Sequence, residues 1–392
     1  MSALLSAEKV KEIAALEVNA LLCVGALAAD RFEKARITSA GTEVYDINGE
    51  LLFRRVPVRR GGEVAAFADI AANPAIAGPL LSVSSGLDWN ERALLAEAED
   101  AARRRRLKWE RSRFVAYSYP KVAVQFLTSG REVAMLELRT WKDVPQPPRE
   151  PRELLQPSNF ERWSLLDELP KARKEKNAVA FRERVRAWDD LLTKRKRERF
   201  QFDLISTTNF EVVTKVWQLM GGQELHYSTR DTDHSPCFEL RGQETGVWCV
   251  AASTQMLLDF YRYEYTQTRI AQELGLGTPS NPNGLPYSRA GDVVTGLEAL
   301  TSSALDATML TAPAWSDYRT EISANHPLIS FIPGHSRAVA GYHWSKLGHP
   351  LLMFRGLLVY DPWPPNQGVI TRWENFDAQT YWRAFTAAVK KV

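Results

Sequence analysis

The chain has only three cysteines, Cys23, Cys237 and Cys249, in 392 residues. That number is too small and too odd for a disulfide framework, so the fold must rest on buried apolar surface and at least one thiol is free. Long apolar runs are missing too: none reaches the ~18 residues that a membrane-spanning helix needs. The short apolar run at 20–29 follows Lys9, Lys11, Glu12 and Glu17. Acidic residues in that lead are unlike a secretory signal, so the run reads as an amphipathic or buried helix and the chain as cytoplasmic, with export by another route left open. Internal repeats and long low-complexity segments are absent. A strong charge of one sign is absent as well, because +3 over the whole chain does not by itself imply a nucleic-acid partner. Histidine is scarce and one-sided: all six lie between His226 and His349, so imidazole chemistry belongs to the C-terminal half.

What is present is an ordinary globular composition, 45% hydrophobic and 25% charged with 12 Trp, in a chain longer than one core usually supports. Residues 1–142 read as an α+β domain. A first helix precedes "EVYDINGELLFRRVPV", a hairpin turning at Asn48-Gly49. A helix is expected over 63–72, a charged helix over 90–107, and two or three strands over 113–141 with a turn at Ser129-Gly130. Five prolines between Asp143 and Pro157 mark a linker, which with a basic amphipathic helix makes up 143–202. Between Lys171 and Arg199, twelve Lys/Arg face five Asp/Glu. That stretch carries the chain's basic character, most simply as a solvated helix face, with nucleic-acid or membrane-surface contact as the alternatives. Residues 203–392 form the remaining domain.

The chemistry centres on "GQETGVWCVAASTQMLLDFYRYE". Val250, Met256, Leu257, Phe260 and Tyr261 recur at helical spacing after a loop-like "RGQETG", which puts the Cys249 sulfur at a helix N-terminus. Unpaired amides and the positive end of the helix dipole favour a thiolate there, whereas a lone cysteine elsewhere is more often inert core. Gln243, six residues upstream, suits an oxyanion donor alongside the Cys249 backbone N–H. His335 opens a strand after the Pro333-Gly334 break and is a candidate base. Asp361 ends the apolar strand "LLVYD" before Pro362 and is a candidate orienting partner.

These residues resemble a papain-like cysteine peptidase of the compact bacterial branch related to bacteriocin-leader (double-glycine) peptidases. In that branch "Q…WCWAAS…M…YY…IA" precedes "GH…V.GY" and "V.DPW". The matching positions here are Gln243, Trp248, Cys249, Ala251, Ala252, Ser253, Met256, Phe260, Tyr261, Ile270 and Ala271; then Gly334, His335, Val339, Gly341 and Tyr342; and finally Val359, Asp361, Pro362 and Trp363. The resemblance covers about 238–376. It implies an α+β, two-lobed fold, a helical lobe carrying Cys249 and an antiparallel twisted sheet carrying His335 and Asp361, beside a separate N-terminal α+β domain. It also implies roles: Cys249 as nucleophile, His335 as proton carrier, Asp361 as orienter, and Gln243 with Cys249 as oxyanion hole. Trp248, Val250, Gly334, Ser336 and Trp363 would line the cleft, and peptide or protein is the implied substrate, with no cofactor or metal. Val250 stands where the family usually has tryptophan, and Ser336-Arg337 where small residues are usual, which bears on substrate preference.

Other readings of the same residues remain. His226, His234 and Cys237 at irregular spacing make a poor metal site. His343, eight residues beyond His335 on one strand, would share its face and is a second candidate base. A Cys-His-Asp set also serves transglutaminases and acyltransferases, and a non-catalytic papain-fold binding protein is a third reading. Papain-like enzymes often carry an N-terminal segment that occupies the cleft. The N-terminal domain is therefore a candidate prodomain contacting the cleft within the same chain, against a recognition or partner-binding module. Arg103–Arg106 and Lys194–Arg199 look cleavable, though charged helix faces explain such runs as well.

Overall fold

The computed structural model describes residues 4–76, 78–144, 162–192, 197–208, 224–227, 238–346 and 351–390. The proline-rich segment, the run at 193–196, His234, Cys237 and His349 lie outside the described residues. So does the side chain of His226, whose backbone pairs with Tyr342.

The N-terminal strands are β1 (Thr42–Asp46), β2 (Leu51–Arg60), β3 (Glu63–Ala71), β4 (Leu80–Ser85), β5 (Arg111–Ser118), β6 (Lys121–Thr128) and β7 (Arg131–Glu137). Those of the C-terminal part are β8 (Leu305–Thr311), β9 (Leu328–Ile332), β10 (His335–Lys346), β11 (Met353–Asp361), β12 (Val369–Asn375) and β13 (Arg383–Val389). All thirteen lie on one sheet in the order β8-β13-β9-β10-β11-β12-β4-β3-β2-β1-β5-β6-β7. Neighbours run antiparallel except β1 and β5. The hairpin read at Asn48-Gly49 is present, and so is the Ser129-Gly130 turn, where both residues take positive φ. The segment read as a helix over 63–72 is instead β3. Its alanines suit a helix, but Gly61 and Gly62, both at positive φ, turn the chain straight back from β2, and β4 pairs its other edge. Two strand partners override a weak local propensity.

The first and last parts of the chain meet within this sheet. Strands β4 and β12 are hydrogen-bonded from Ser85↔Ile370 to Ser82↔Glu374, so no break separates the N-terminal strands from the peptidase-like ones. One face is covered by α1 (Ala7–Cys23) and its neighbour α3 (Lys171–Leu191). Their buried cluster includes Val56, Ile70, Val83, Trp188, Phe354 and Trp373, drawn from both ends of the chain. Glu17, fully buried on α1, is held by Arg184 through both carboxylate oxygens at 2.7 Å and by the Trp188 indole N–H at 2.8 Å, so part of the basic helix is structural. A second cluster gathers α2 (Glu91–Arg104, capped by Asn90) with Phe53, Phe114, Val122 and Trp363. The third, beneath β8, β9 and β13, belongs to α4 (Cys249–Phe260), α5 (Gln267–Glu273) and α6 (Asp292–Leu300).

Along a flat sheet, β10 and β5 would lie seven strand spacings apart, about 34 Å. Yet Ser118 Oγ, at the end of β5, donates to the carbonyl of Pro333, just before β10, at 2.6 Å. The sheet therefore coils until the β5–β6 turn reaches back to the β9–β10 turn, an accumulation of ordinary strand twist.

Candidate active site

Three elements supply the residues singled out from sequence. Helix α4 begins at Cys249. Its approach is fixed by Trp248, fully buried with its indole N–H on the Leu276 carbonyl at 3.0 Å. His335 opens β10 and Asp361 closes β11. The helix is tied to the His strand one turn on: Ser336 Oγ bonds Ser253 Oγ at 3.1 Å, and Ser253 in turn donates to the Cys249 carbonyl at 2.8 Å. The Gln243 loop is laid against the loop after Asp361. Gln243 N–H donates to the Pro362 carbonyl at 2.9 Å, and Asn366 N–H to the Gln243 carbonyl at 2.8 Å. Gly242 has no side chain because a Cβ there would fall 2.6 Å from the Gln367 amide nitrogen.

His335 Nε2 lies 2.6 Å from Asp361 Oδ1, which also accepts the Trp363 backbone N–H at 2.8 Å. An acceptor at Nε2 places the proton there and leaves Nδ1 with its lone pair. Nδ1 is buried and has no partner among the described residues. The Ser336 N–H, next along the strand, acts on the Cys249 sulfur, so the thiol sits against the start of β10. The Gln243 amide is engaged within its own loop: its Nε2 donates to the Thr245 carbonyl at 2.8 Å, and its buried Oε1 has no partner among the described residues. Val250, Gly334, Ser336 and Trp363 are all buried, so the residues expected to line a cleft line a filled one. Behind Asp361 is a cavity of about 20 Å³, bordered by Tyr119, Trp363 and Glu374, room for one water at most.

The residues packed over the site come from the N-terminal part, and which of them do so was not legible in sequence. Lys121 Nζ donates to the Gly334 carbonyl at 2.7 Å and lies 4.9 Å from the centre of the Tyr117 ring. Tyr117 and Thr140 hydroxyls donate to Glu137 at 2.7 and 2.9 Å, and Glu137 lies against Gly246 of the Cys loop. His335, Asp361, Cys249, Ser118 and Lys121 are each at most 2% exposed.

Burial sets the protonation states. It pushes the Cys249 thiol up to about 11, although the Lys121 ammonium and the Ser336 N–H pull the other way. It also lowers the His335 imidazole, outweighing the opposing pull of Asp361, and it lowers the Lys121 ammonium and raises the Glu137 carboxyl. With the thiol raised and the imidazole lowered, the resting pair is thiol and neutral ring rather than thiolate and imidazolium.

His343 does not share the His335 face. A bulge between Val339 and Gly341 shifts the alternation, so Ala338 and Ala340 pack with Met256 of α4 while Val339 and Tyr342 share another cluster. Burial lowers His343 to about 4, and its Nε2 is satisfied by Ser345 Oγ at 2.9 Å. Arg337, beyond His335, is buried and paired through both guanidinium ends with Glu374, which makes it a structural ion pair. Among the described residues no group of three or more His, Cys, Asp or Glu could hold a metal, and no helix is long and apolar enough to cross a membrane.

A cysteine opening a buried helix, packed on an antiparallel sheet whose neighbouring strands present histidine and aspartate, is the arrangement that the resemblance to papain-like cysteine peptidases implies. Residues 237–389 match the family model described as Peptidase_C39 like family, which bears out the resemblance read from sequence over the last part of the chain. Among solved structures, one match is a double glycine motif protease from an AMS/PCAT transporter in complex with its leader peptide. It shows 16% identity and a TM-score of 0.28, covering 39% of this chain and 92% of that one. Another is UfSP from C. elegans, at 11% identity and a TM-score of 0.28, covering 44% of this chain and 35% of that one. No curated protein matches the chain.

Proposed function

We propose that the chain is a cysteine endopeptidase kept latent by its own N-terminal region. Cys249 Sγ attacks the scissile carbonyl carbon while His335 Nδ1 takes the thiol proton, and the protonated ring then returns it to the departing amine. Asp361 holds the ring by Nε2–H and stabilises the imidazolium as it forms. Water, activated by His335, hydrolyses the thioester. The Cys249 N–H at the helix start supplies one oxyanion donor, and Gln243 the second once its amide leaves the Thr245 carbonyl. The observation that carries this reading is the His335–Asp361 pair whose Nδ1 has no partner among the described residues, one residue from the N–H that acts on the Cys249 sulfur. Latency follows from the burial of all three groups beneath the N-terminal region, where Lys121 holds the Gly334 carbonyl directly before His335.

Mapping the adduct of a cysteine-directed epoxide tests the nucleophile, with labelling expected at Cys249. An adduct at Cys23 or Cys237 with Cys249 untouched would sink the assignment. Peptide release in water, measured against transfer onto an added amine, separates hydrolysis from acyl transfer, and hydrolysis is the expected outcome.

A further inference from the structure

Two sets of contacts join the N-terminal region to the peptidase segment, and they differ in depth. The first is architectural. Strand β4 is hydrogen-bonded to β12 in the interior of the sheet, and side chains rivet the seam: Ser84 Oγ to Thr371 Oγ1 at 3.0 Å, Arg372 Nε to Ser85 Oγ at 2.7 Å, Asn375 Nδ2 to the Leu80 carbonyl at 3.0 Å. Helix α1 is buried with Phe354 and Trp373, and Trp363, two residues past Asp361, is buried among Phe53, Phe114 and Val122. The second set is small and sits on the active site. In the four-residue turn Ser118–Lys121, one hydroxyl holds the Pro333 carbonyl and one ammonium holds the Gly334 carbonyl, directly before His335.

We propose that this turn alone is the latch of the site, and that the rest of the N-terminal region is a permanent part of the enzyme rather than a removable propeptide. The proposal rests on the peptidase reading given above. Removing the whole region would strip a strand from the middle of a sheet, leaving a row of unpaired backbone groups on β12 and exposing two apolar clusters. Among the described residues, lifting the turn breaks the Ser118 and Lys121 hydrogen bonds to those carbonyls and the Tyr119–Ser82 hydroxyl contact at 3.2 Å, and it returns a lysine to water. Burial disfavours that lysine's charge where it is, so hydration favours the open turn. A substrate or partner that takes over the Pro333 and Gly334 carbonyls therefore opens the site without any cut in the chain.

The full-length chain supplies both tests. In the first, a protease site is placed within 145–161 and cut. The two fragments are expected to co-elute on size exclusion at submicromolar concentration, with the rate of Cys249 alkylation by iodoacetamide unchanged within twofold. Separation of the fragments, or exposure of Cys249 by the cut alone, overturns the proposal. In the second, Ser118→Ala/Lys121→Ala is expected to raise Cys249 alkylation at least tenfold while Cys23 stays at its wild-type rate. An unchanged Cys249 refutes the latch. A parallel rise at Cys23 refutes it too, because the opening is then global. Alkylation does not depend on turnover, so a reactive Cys249 that cuts no peptide keeps the latch and removes the peptidase reading, and hydrolysis without a change in alkylation does the reverse.

Discussion

Replacing Lys121 with alanine has two opposite consequences for Cys249, and the sign of the result decides between them. If the β5–β6 turn stays seated, the thiol loses a cation that lowers its pKa and keeps the burial that raises it, so alkylation slows. If the turn lifts, water reaches the sulfur and the thiol relaxes towards the ordinary value near ~8.5. A thiol at about 11 is thiolate in roughly one molecule in a thousand at pH 8, and one at ~8.5 in roughly a quarter, so opening accelerates alkylation about two hundredfold before any gain in steric access. The assay is the pH dependence of iodoacetamide modification, resolved at Cys249 by peptide mass. The wild type is expected to climb past pH 10, and Lys121→Ala to level off near pH 9. A variant slower than wild type whose profile still climbs past pH 10 would show that Lys121 is only a counter-charge and that the turn does not move.

In the opened variant, Asp361→Ala should cut kcat by about 10²–10⁴ with little change in KM, because nothing then accepts His335 Nε2–H and holds the ring; equal rates would mean that Asp361 does not orient the ring. Glu374→Gln leaves the guanidinium of Arg337, 1% exposed, without its carboxylate and should cost ~3–5 kcal/mol in urea unfolding; a loss below ~1 kcal/mol would mean that water reaches the pair. His343 sits at about 4 when folded against ~6.5 when unfolded. Its neutral form therefore stabilises the fold fully above pH 6.5, and that contribution, ~3 kcal/mol, is lost as pH falls towards 4. Acid stability profiles of the wild type and His343→Gln should diverge between those limits and run parallel above pH 7; parallel profiles throughout would place His343 in contact with water.

What the sequence disclosed follows the range over which each signal acts. Cys249 at a helix start was legible because helical periodicity and a glycine-bearing loop are local. His335 and Asp361 were legible because a Pro-Gly break and a following proline bound their strands within a few residues. Strand β3 was misread although Gly61-Gly62 announced the turn before it, since an alanine-rich run is ambiguous until both neighbouring strands are known. His343 was misplaced by one bulged residue, and a single extra residue reverses every later side chain.

Lys121 marks the limit of such reading. A lysine at the start of a strand, just after a proline turn, reads as solvated, and nothing near it in sequence says otherwise. Its burial depends on a sheet that coils through seven strand spacings and on β4 accepting a partner 285 or more residues away, at Ile370–Glu374. Pairing at that separation has no local signature, because any half-buried strand offers the same alternating edge. Yet that pairing carries the β5–β6 turn to Gly334, and with it the charge that meets the candidate nucleophile. The candidate site is written in residues 243–363, whereas the control proposed for it rests on a contact visible only once both ends of the chain share one sheet.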